Sequence, residues 1–427
     1  MSIKNWLKSL GVLSTLLLFS EVGAQTSAST YSALGIGEFN YSGLTQNQGM
    51  GGMGISYGTG WQVNNVNPAL TTRNTIFNFQ VALNYKSINV DNGTENSQVD
   101  GGGLSYLALS FPIKSGKFTS GMGLSQITGV NYRLRVESAV DNSDLKANNF
   151  LTGDGGISET YLNFGYLLAK NLSIGVHGSY LFGSTIRSNQ LLITDDKGVE
   201  VGAPSEYYER LTVSDVGFKV GIHYQLKTSE KSNLHFGAIY QKFGDVNGTG
   251  FAKLAGIGQA SDPKTDGDLI ANNIKGSVYI PNRLGFGLTF EKMNKLALTL
   301  EGQFQDFTEY RNFFGDPLDL QATKKLALGF QMVPDYLSFD NLLKRGTYRI
   351  GLEWMQTPYF LNQTNINDIG ISLGSSLYLN QLSMMNLAFK VGQRGTLDAG
   401  LIRENYVNFT LGFSLNDNSW FYKRVFE

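Results

Sequence analysis

The chain has 427 residues, and its composition argues against a soluble multidomain protein: 51 glycines, 8 prolines, 12% aromatics and only 16% charged residues. That is little charge for a water-facing surface and suits one that faces lipid. A net charge of −1 gives no basic footprint for nucleic acid, and the absence of cysteine rules out disulfides and thiolate metal sites.

The first predicted element is an export signal. Lys4 and Lys8 precede the apolar run Leu10 to Phe19, which is too short to span a bilayer as a helix. Val22-Gly23-Ala24 then offers small residues for cleavage, so residues 1–24 read as a signal peptide and Gln25 as the first mature residue. The residue after the cleavage site is not Cys, which excludes a lipoprotein signal. No later stretch is long and apolar enough for a transmembrane helix. Residues 25–73 are rich in Gly, Asn and Ser and show no sustained periodicity. Within them Gly49-Met50-Gly51-Gly52-Met53-Gly54 fits the dinucleotide pattern G-x-G-x-x-G. No strand precedes it in a βαβ unit and an exported chain meets no NAD, so these glycines are read as letting a chain fold tightly inside a barrel.

From residue 74 to 427 the pattern is alternation of apolar with small or polar residues, the signature of strands whose successive side chains face opposite ways. Phe77, Phe79, Val81, Leu83 and Tyr85 oppose Asn78, Gln80, Asn84 and Lys86. Val216, Phe218, Val220, Ile222 and Tyr224 oppose Gly217, Lys219, Gly221 and His223. About fourteen such segments of about ten residues each predict an all-β fold, a transmembrane antiparallel barrel over residues 74–427 that ends in a short periplasmic C-terminal tail. Connections alternate in length. Short turns at Lys114–Lys117, Ala169–Asn171, Lys227–Asn233, Glu291–Lys295 and Asn380–Leu382 alternate with long polar stretches near Asp91–Gly102, Ala139–Glu159, Thr185–Thr212 and Gly244–Ile280. Outer-membrane barrels have short periplasmic turns and long outer loops, so the long stretches are expected outside. Pro334–Gly346 is an inner turn long enough for a short helix. A soluble sandwich or propeller would have shorter strands and no such loop alternation.

Parity then assigns faces. The polar lumen set is Lys86, Arg133, Arg135, His177, Lys219, His223, Glu301, Arg349 and Glu353, with His235 and Lys390. Its charged members are read as bracing an internal segment against the wall, or as pairing with a substrate carboxylate. The histidines are read as lumen lining, because no ligand spacing such as H-E-x-x-H supports a metal, and no cofactor is expected. No G-x-S-x-G elbow supports an enzyme. In the third strand the lipid-facing set would be Met122, Leu124, Gln126, Thr128, Val130, Tyr132, Leu134 and Val136. Two polar residues, Gln126 and Thr128, then face hydrocarbon, which is costly. Either a bulge shifts the register or the wall opens there, and Gly129 makes a bend easier.

Gln48-Gly49-Met50-Gly51-Gly52, followed by Asn67-Pro68-Ala69, resembles the FadL/TodX family of outer-membrane transporters for hydrophobic compounds. Gly121-Met122-Gly123 through Gly129 is similar to that family's third strand but lacks its proline, and Tyr279-Ile280-Pro281-Asn282-Arg283 also looks like the family. The resemblance implies a fourteen-stranded barrel plugged by an N-terminal hatch, here residues 25–73, carrying Gly49, Gly51, Gly52, Asn67, Pro68 and Ala69. It also implies a lateral opening at Gln126, Thr128 and Gly129. The function it implies is passive uptake of a hydrophobic small molecule, such as a long-chain fatty acid or hydrocarbon, with hatch movement and lateral release. The same hatch motifs recur in a FadL-like barrel of the type IX secretion system. A barrel serving protein partners in secretion or outer-membrane assembly is therefore the alternative, and a general porin a third. The implied surroundings are outer-membrane lipid and lipopolysaccharide. Phe313, Phe314, Leu318 and Leu320 in one outer loop, and Ala252, Leu254, Ala255 and Ile257 in another, are expected to collect ligand or to dock partners.

Overall fold

The computed structural model describes residues 29–313, 318–338, 341–380 and 382–417. The export signal and the short C-terminal tail expected from the sequence lie outside the described residues, as does Phe314.

Alternation becomes a closed antiparallel wall. Its first six strands are β1 (Phe77–Asp91), β2 (Asn96–Lys114), β3 (Phe118–Ala139), β4 (Lys146–Ala169), β5 (Leu172–Thr194) and β6 (Ser205–Lys227). Two strands are each broken once: β7 (Ser232–Lys242 and Gly244–Gly256) and β8 (Asp268–Ile280 and Arg283–Lys292). The break in β8 falls at Pro281, which has no N–H to give the ladder. The rest are β9 (Leu296–Asp306), β10 (Ala322–Met332), β11 (Thr347–Leu361), β12 (Thr364–Tyr378), β13 (Ser383–Gly395) and β14 (Arg403–Asp417). Each pairs with the next, and β14 pairs back on β1 from Arg403↔Asp91 to Asp417↔Phe77, so fourteen strands close a barrel. No helix among the described residues is long and apolar enough to cross a membrane; this chain crosses with strands.

The outward set is greasy and the inward set polar. Leu162, Phe164, Ile174, Val176, Val216 and Phe218 are exposed, while Asn163, His177 and Lys219, one position away, are buried. A lipid-facing belt over a polar interior is what a barrel in hydrocarbon requires.

The long polar stretches are mostly not loops. β3 to β6 run for 22, 24, 23 and 23 residues, where about ten cross a bilayer. The outer connections shrink to residues 92–95, 140–145, 195–204 and 257–267. Beyond the bilayer both faces of a strand meet water, so apolar alternation fades although the ladder continues. The inner turn after β10 does hold the short helix, Leu342–Arg345. Barrel polarity predicts that epitope tags within residues 195–204 and 257–267 are reached by antibody on intact cells and a tag in Lys227–Asn233 is not. Reversed labelling would invert the orientation.

Residues 29–74 fill the lumen. They form two 3-10 turns (Thr30–Ala33 and Pro68–Arg73), a two-residue strand (Glu38–Phe39) and one helical turn (Thr45–Gln48). In the outer half an apolar cluster packs Tyr31 and Ile36 of this hatch against Ile157, Leu181, Phe307 and Tyr359. Leu320 belongs to the cluster and Phe313 and Leu318 pack on it. These loop residues therefore turn inward over the mouth. Leu254 and Ile257 are exposed, while Ala252 is buried and Ala255 is buried in a small cluster with Tyr208 and Phe251.

Candidate functional site

The hatch is seated backbone-to-wall, and glycine makes the seat. Where the hatch runs closest, the lumen-facing wall residue has no side chain. Gly165, Gly175 and Gly221 are register partners on β4, β5 and β6. A Cβ on any of them would collide with Asn67, Pro68 or Thr71. Across the barrel, a Cβ on Gly374 would come within 2.8 Å of the Gly49 Cα. Interiors are packed to crystal-like density, so such approaches leave no slack. On the hatch side, Gly51 and Gly52 sit at φ +70° and +73°, a left-handed pair that only glycine adopts cheaply. The turn they make aims the Gly51 N–H at the Ser372 hydroxyl, 2.8 Å away. Asn67 caps the Pro68–Arg73 turn by accepting from the Ala69 N–H (3.0 Å) and donates to the Ile55 (2.6 Å) and Ile222 (3.1 Å) carbonyls.

Wall side chains clamp what the seat leaves polar. Glu301 of β9 accepts the N–H groups of Gly54, Ile55 and Ser56 at 2.9, 2.8 and 2.9 Å, and the Ser56 hydroxyl at 3.2 Å. Successive N–H groups converging on one carboxylate form an anion nest. Arg349 donates to Gln62 of the hatch at 3.0 Å and to Gln331 and Ser376 of the wall, both at 2.8 Å. Lys219 donates to the Asn65 carbonyl at 2.7 Å. At the other end of the hatch, Glu404 accepts from the Ser29 hydroxyl (2.9 Å) and the Thr30 N–H (2.7 Å). Glu404, absent from the lumen set expected from the sequence, has the same parity on β14 as the buried Thr410, which is the signal that places it inside.

Two charge networks complete the lumen. Lys86 meets Glu38 of the hatch at 2.9 Å, and Arg394 bridges Glu38 (2.5 Å) and Asp368 (2.7 Å). Burial pushes the Glu38 carboxyl up, but Arg394 and Lys86 outweigh it and hold it well below the usual carboxylate range. Glu353 pairs with Lys325 (3.3 Å) and Lys390 within the wall. The three histidines are buried. His177 stacks on Tyr161 and lies 3.4 Å from Glu159. His223 contacts His235 at 3.1 Å, and His235 contacts Glu291 at 2.9 Å beside Arg73 of the hatch. The described residues hold no cluster of three or more His, Cys, Asp or Glu suited to a metal.

The wall is incomplete at one place. The β2–β3 ladder runs from Lys114↔Phe118 only as far as Tyr106↔Ser125. Above that rung Asn96–Leu104 pairs with β1 alone, and β3 pairs with β4 alone on the wall side. The hatch takes over part of the free β3 edge: Phe39 faces Thr128 and Glu38 faces Gly129. A bulge at Ile127 breaks the β3–β4 register between Gln126↔Ser158 and Thr128↔Ile157. One extra residue flips every side chain beyond it. Thr128, Val130 and Tyr132 are therefore buried in the lumen and are not lipid-facing. Arg133 and Arg135, read as lumen residues, are exposed on the outside for the same reason; Arg135 contacts Glu137 and Asn148. Two small cavities, about 100 and 60 Å³, reach the gap and share Phe39, Asn40, Ser105 and Gln126. The larger is floored by Glu38, Lys86, Lys390 and Arg394.

A family model for BamG matches residues 5–427. The chain belongs to the BamG family. No curated protein matches it. Among solved structures, the BamG-family chain is similar to the CymD monoaromatic hydrocarbon channel, at 14% identity and TM-score 0.54 over 89% of this chain and 99% of that one. The Pseudomonas putida toluene transporter TodX shares 14% identity at TM-score 0.56, over 88% and 99% of the two chains. A Pseudomonas aeruginosa FadL homologue shares 13% at TM-score 0.56, over 89% and 99%. At such identity the likeness fixes the fold: a plugged outer-membrane barrel, the architecture the hatch motifs implied.

Proposed function

We propose that this BamG-family barrel passes hydrophobic small molecules across the outer membrane and releases them sideways between β2 and β3. The observation that carries the reading is the unpaired stretch of wall above Tyr106↔Ser125. A barrel in lipid otherwise satisfies every backbone group with a neighbouring strand, and a persistent break beside a hatch is suited to lateral passage. An apolar ligand leaving this way avoids water. In this reading Gln126, Thr128 and Gly129 border the exit, and hatch movement opens it. The apolar cluster around Tyr31, Ile36 and Tyr359 marks the chamber, which the hatch occupies at rest.

The floor of the gap narrows the ligand class. Lys86, Lys390 and Arg394 line it, so an amphiphile with an anionic head and an acyl tail fits better than a bare hydrocarbon. Its carboxylate would replace that of Glu38 on Lys86 and Arg394. An open polar pore does not suit a lumen filled by a hatch.

One observation favours a second reading, a barrel that serves protein partners in secretion or outer-membrane assembly. The hatch seat has no slack, and a ligand of drug size needs about 300 Å³ or more. Extraction in mild detergent followed by mass spectrometry separates the two. A stoichiometric anionic amphiphile is expected. A stoichiometric protein partner with no bound small molecule would favour the second reading and defeat the first.

A further inference from the structure

The inner mouth of the barrel differs from an ordinary set of periplasmic turns. The turns at 114–118, 169–172, 227–232, 291–296 and 333–346 hold nine Lys and Arg against four Asp and Glu, in a chain of net charge −1. The turn after β10 also presents leucines outward: Leu337 is 72% exposed and Leu343 60%, and Leu379 and Leu382 of the neighbouring turn are half-exposed. Large exposed apolar side chains grouped in one place mark an interaction surface.

Beside them lies the largest of the cavities described here, about 210 Å³, lined by Tyr57, Trp61, Arg73, Met293 and Tyr336 among others. The Trp61 and Tyr336 rings stack with centroids 6.4 Å apart. The Trp61 Nε1–H is buried and has no acceptor among the described residues. A buried donor without a partner is costly, and an incoming acceptor would relieve it. Lys292 and Lys295 stand at the rim of the same cavity.

We propose that this mouth docks an acidic, apolar-faced polypeptide segment of a periplasmic partner. An apolar or aromatic side chain of that segment enters the cavity against Trp61 and Met293. A carbonyl or carboxylate of the segment accepts the Trp61 N–H. Its apolar face lies on Leu337 and Leu343, and its acidic residues meet Lys292 and Lys295. Charge complementarity selects the occupant. Acyl chains are a poorer fit because Tyr57, Trp61 and Arg73 belong to the hatch, which places the cavity inside the ring of strands. The inference goes beyond the transport reading and stands whether or not the gap passes a ligand.

The test is photocrosslinking in cells that carry the full-length protein, with a photoreactive residue at Leu337 or Leu343 and a control at Leu168 on the lipid face. At the first two positions a discrete protein adduct is expected, whose crosslinked segment, mapped by mass spectrometry, carries net negative charge. Combining Lys292→Glu with Lys295→Glu turns attraction into repulsion, so the adduct should fall roughly tenfold. Heat-dependent gel migration confirms that the variant barrel is folded. Lipid adducts alone, as at Leu168, would overturn the proposal. So would the absence of an adduct, or a protein adduct that survives charge reversal.

Discussion

Glu301→Ala is expected to unseat the hatch while the wall stays closed. The carboxylate is the acceptor for three consecutive hatch N–H groups, from Gly54 to Ser56. Removing it leaves all three buried, at about 1–3 kcal/mol each, so the loss is on the order of 5 kcal/mol. That is comparable to the whole stability of many domains, and here it falls on one segment. The wall loses nothing of its ladder, since Glu301 pairs through its backbone with Gly287 and Ala327. The expected result is a barrel that still migrates as folded, a hatch cut by protease in detergent, and raised conductance in a planar bilayer. Glu301→Gln keeps one acceptor oxygen and should fall between the two. Unchanged conductance and protection in the Ala variant would mean that the glycine seat alone holds the hatch.

The fold was largely legible because lipid outside and water inside force alternation, and fourteen strands appear where alternation was strongest. Its extent was not legible. The outer thirds of β4 and β5 carry polar residues on both faces, among them Asn148, Asn149, Asn189 and Gln190, so the apolar alternation is lost there and the stretch reads as loop. The site was legible in part. Asn67-Pro68-Ala69 stood out as a motif, but nothing local revealed that Gly175 and Gly221, hundreds of atoms away along the chain, make room for it. Parity counting located Lys219, Glu301 and Arg349 on the lumen side and failed for Arg133 and Arg135. A count by twos cannot survive the bulge at Ile127. The polar pair Gln126 and Thr128 signalled that irregularity without distinguishing a bulge from an opening; the strand has the bulge and, on its other edge, loses its wall neighbour.

Stapling the gap should have the largest effect on transport. The first rung missing from the ladder is Ser105 with Gln126, just above Tyr106↔Ser125. Antiparallel rungs place Cα atoms about 4.5–5.5 Å apart, a spacing a disulfide accepts. The chain has no cysteine of its own, so Ser105→Cys with Gln126→Cys introduces one bond and no competitor. Closing this rung carries the wall ladder into the gap and holds β3 against β2 where the hatch now lies. The decisive measurement is uptake of a labelled long-chain fatty acid by intact cells carrying the double variant, with the bond confirmed by mass. Lateral release predicts uptake close to that of cells lacking the protein when the bond is formed, and full recovery on reduction. Equal uptake in the oxidised and reduced states would contradict it and leave a barrel that serves protein partners as the better account.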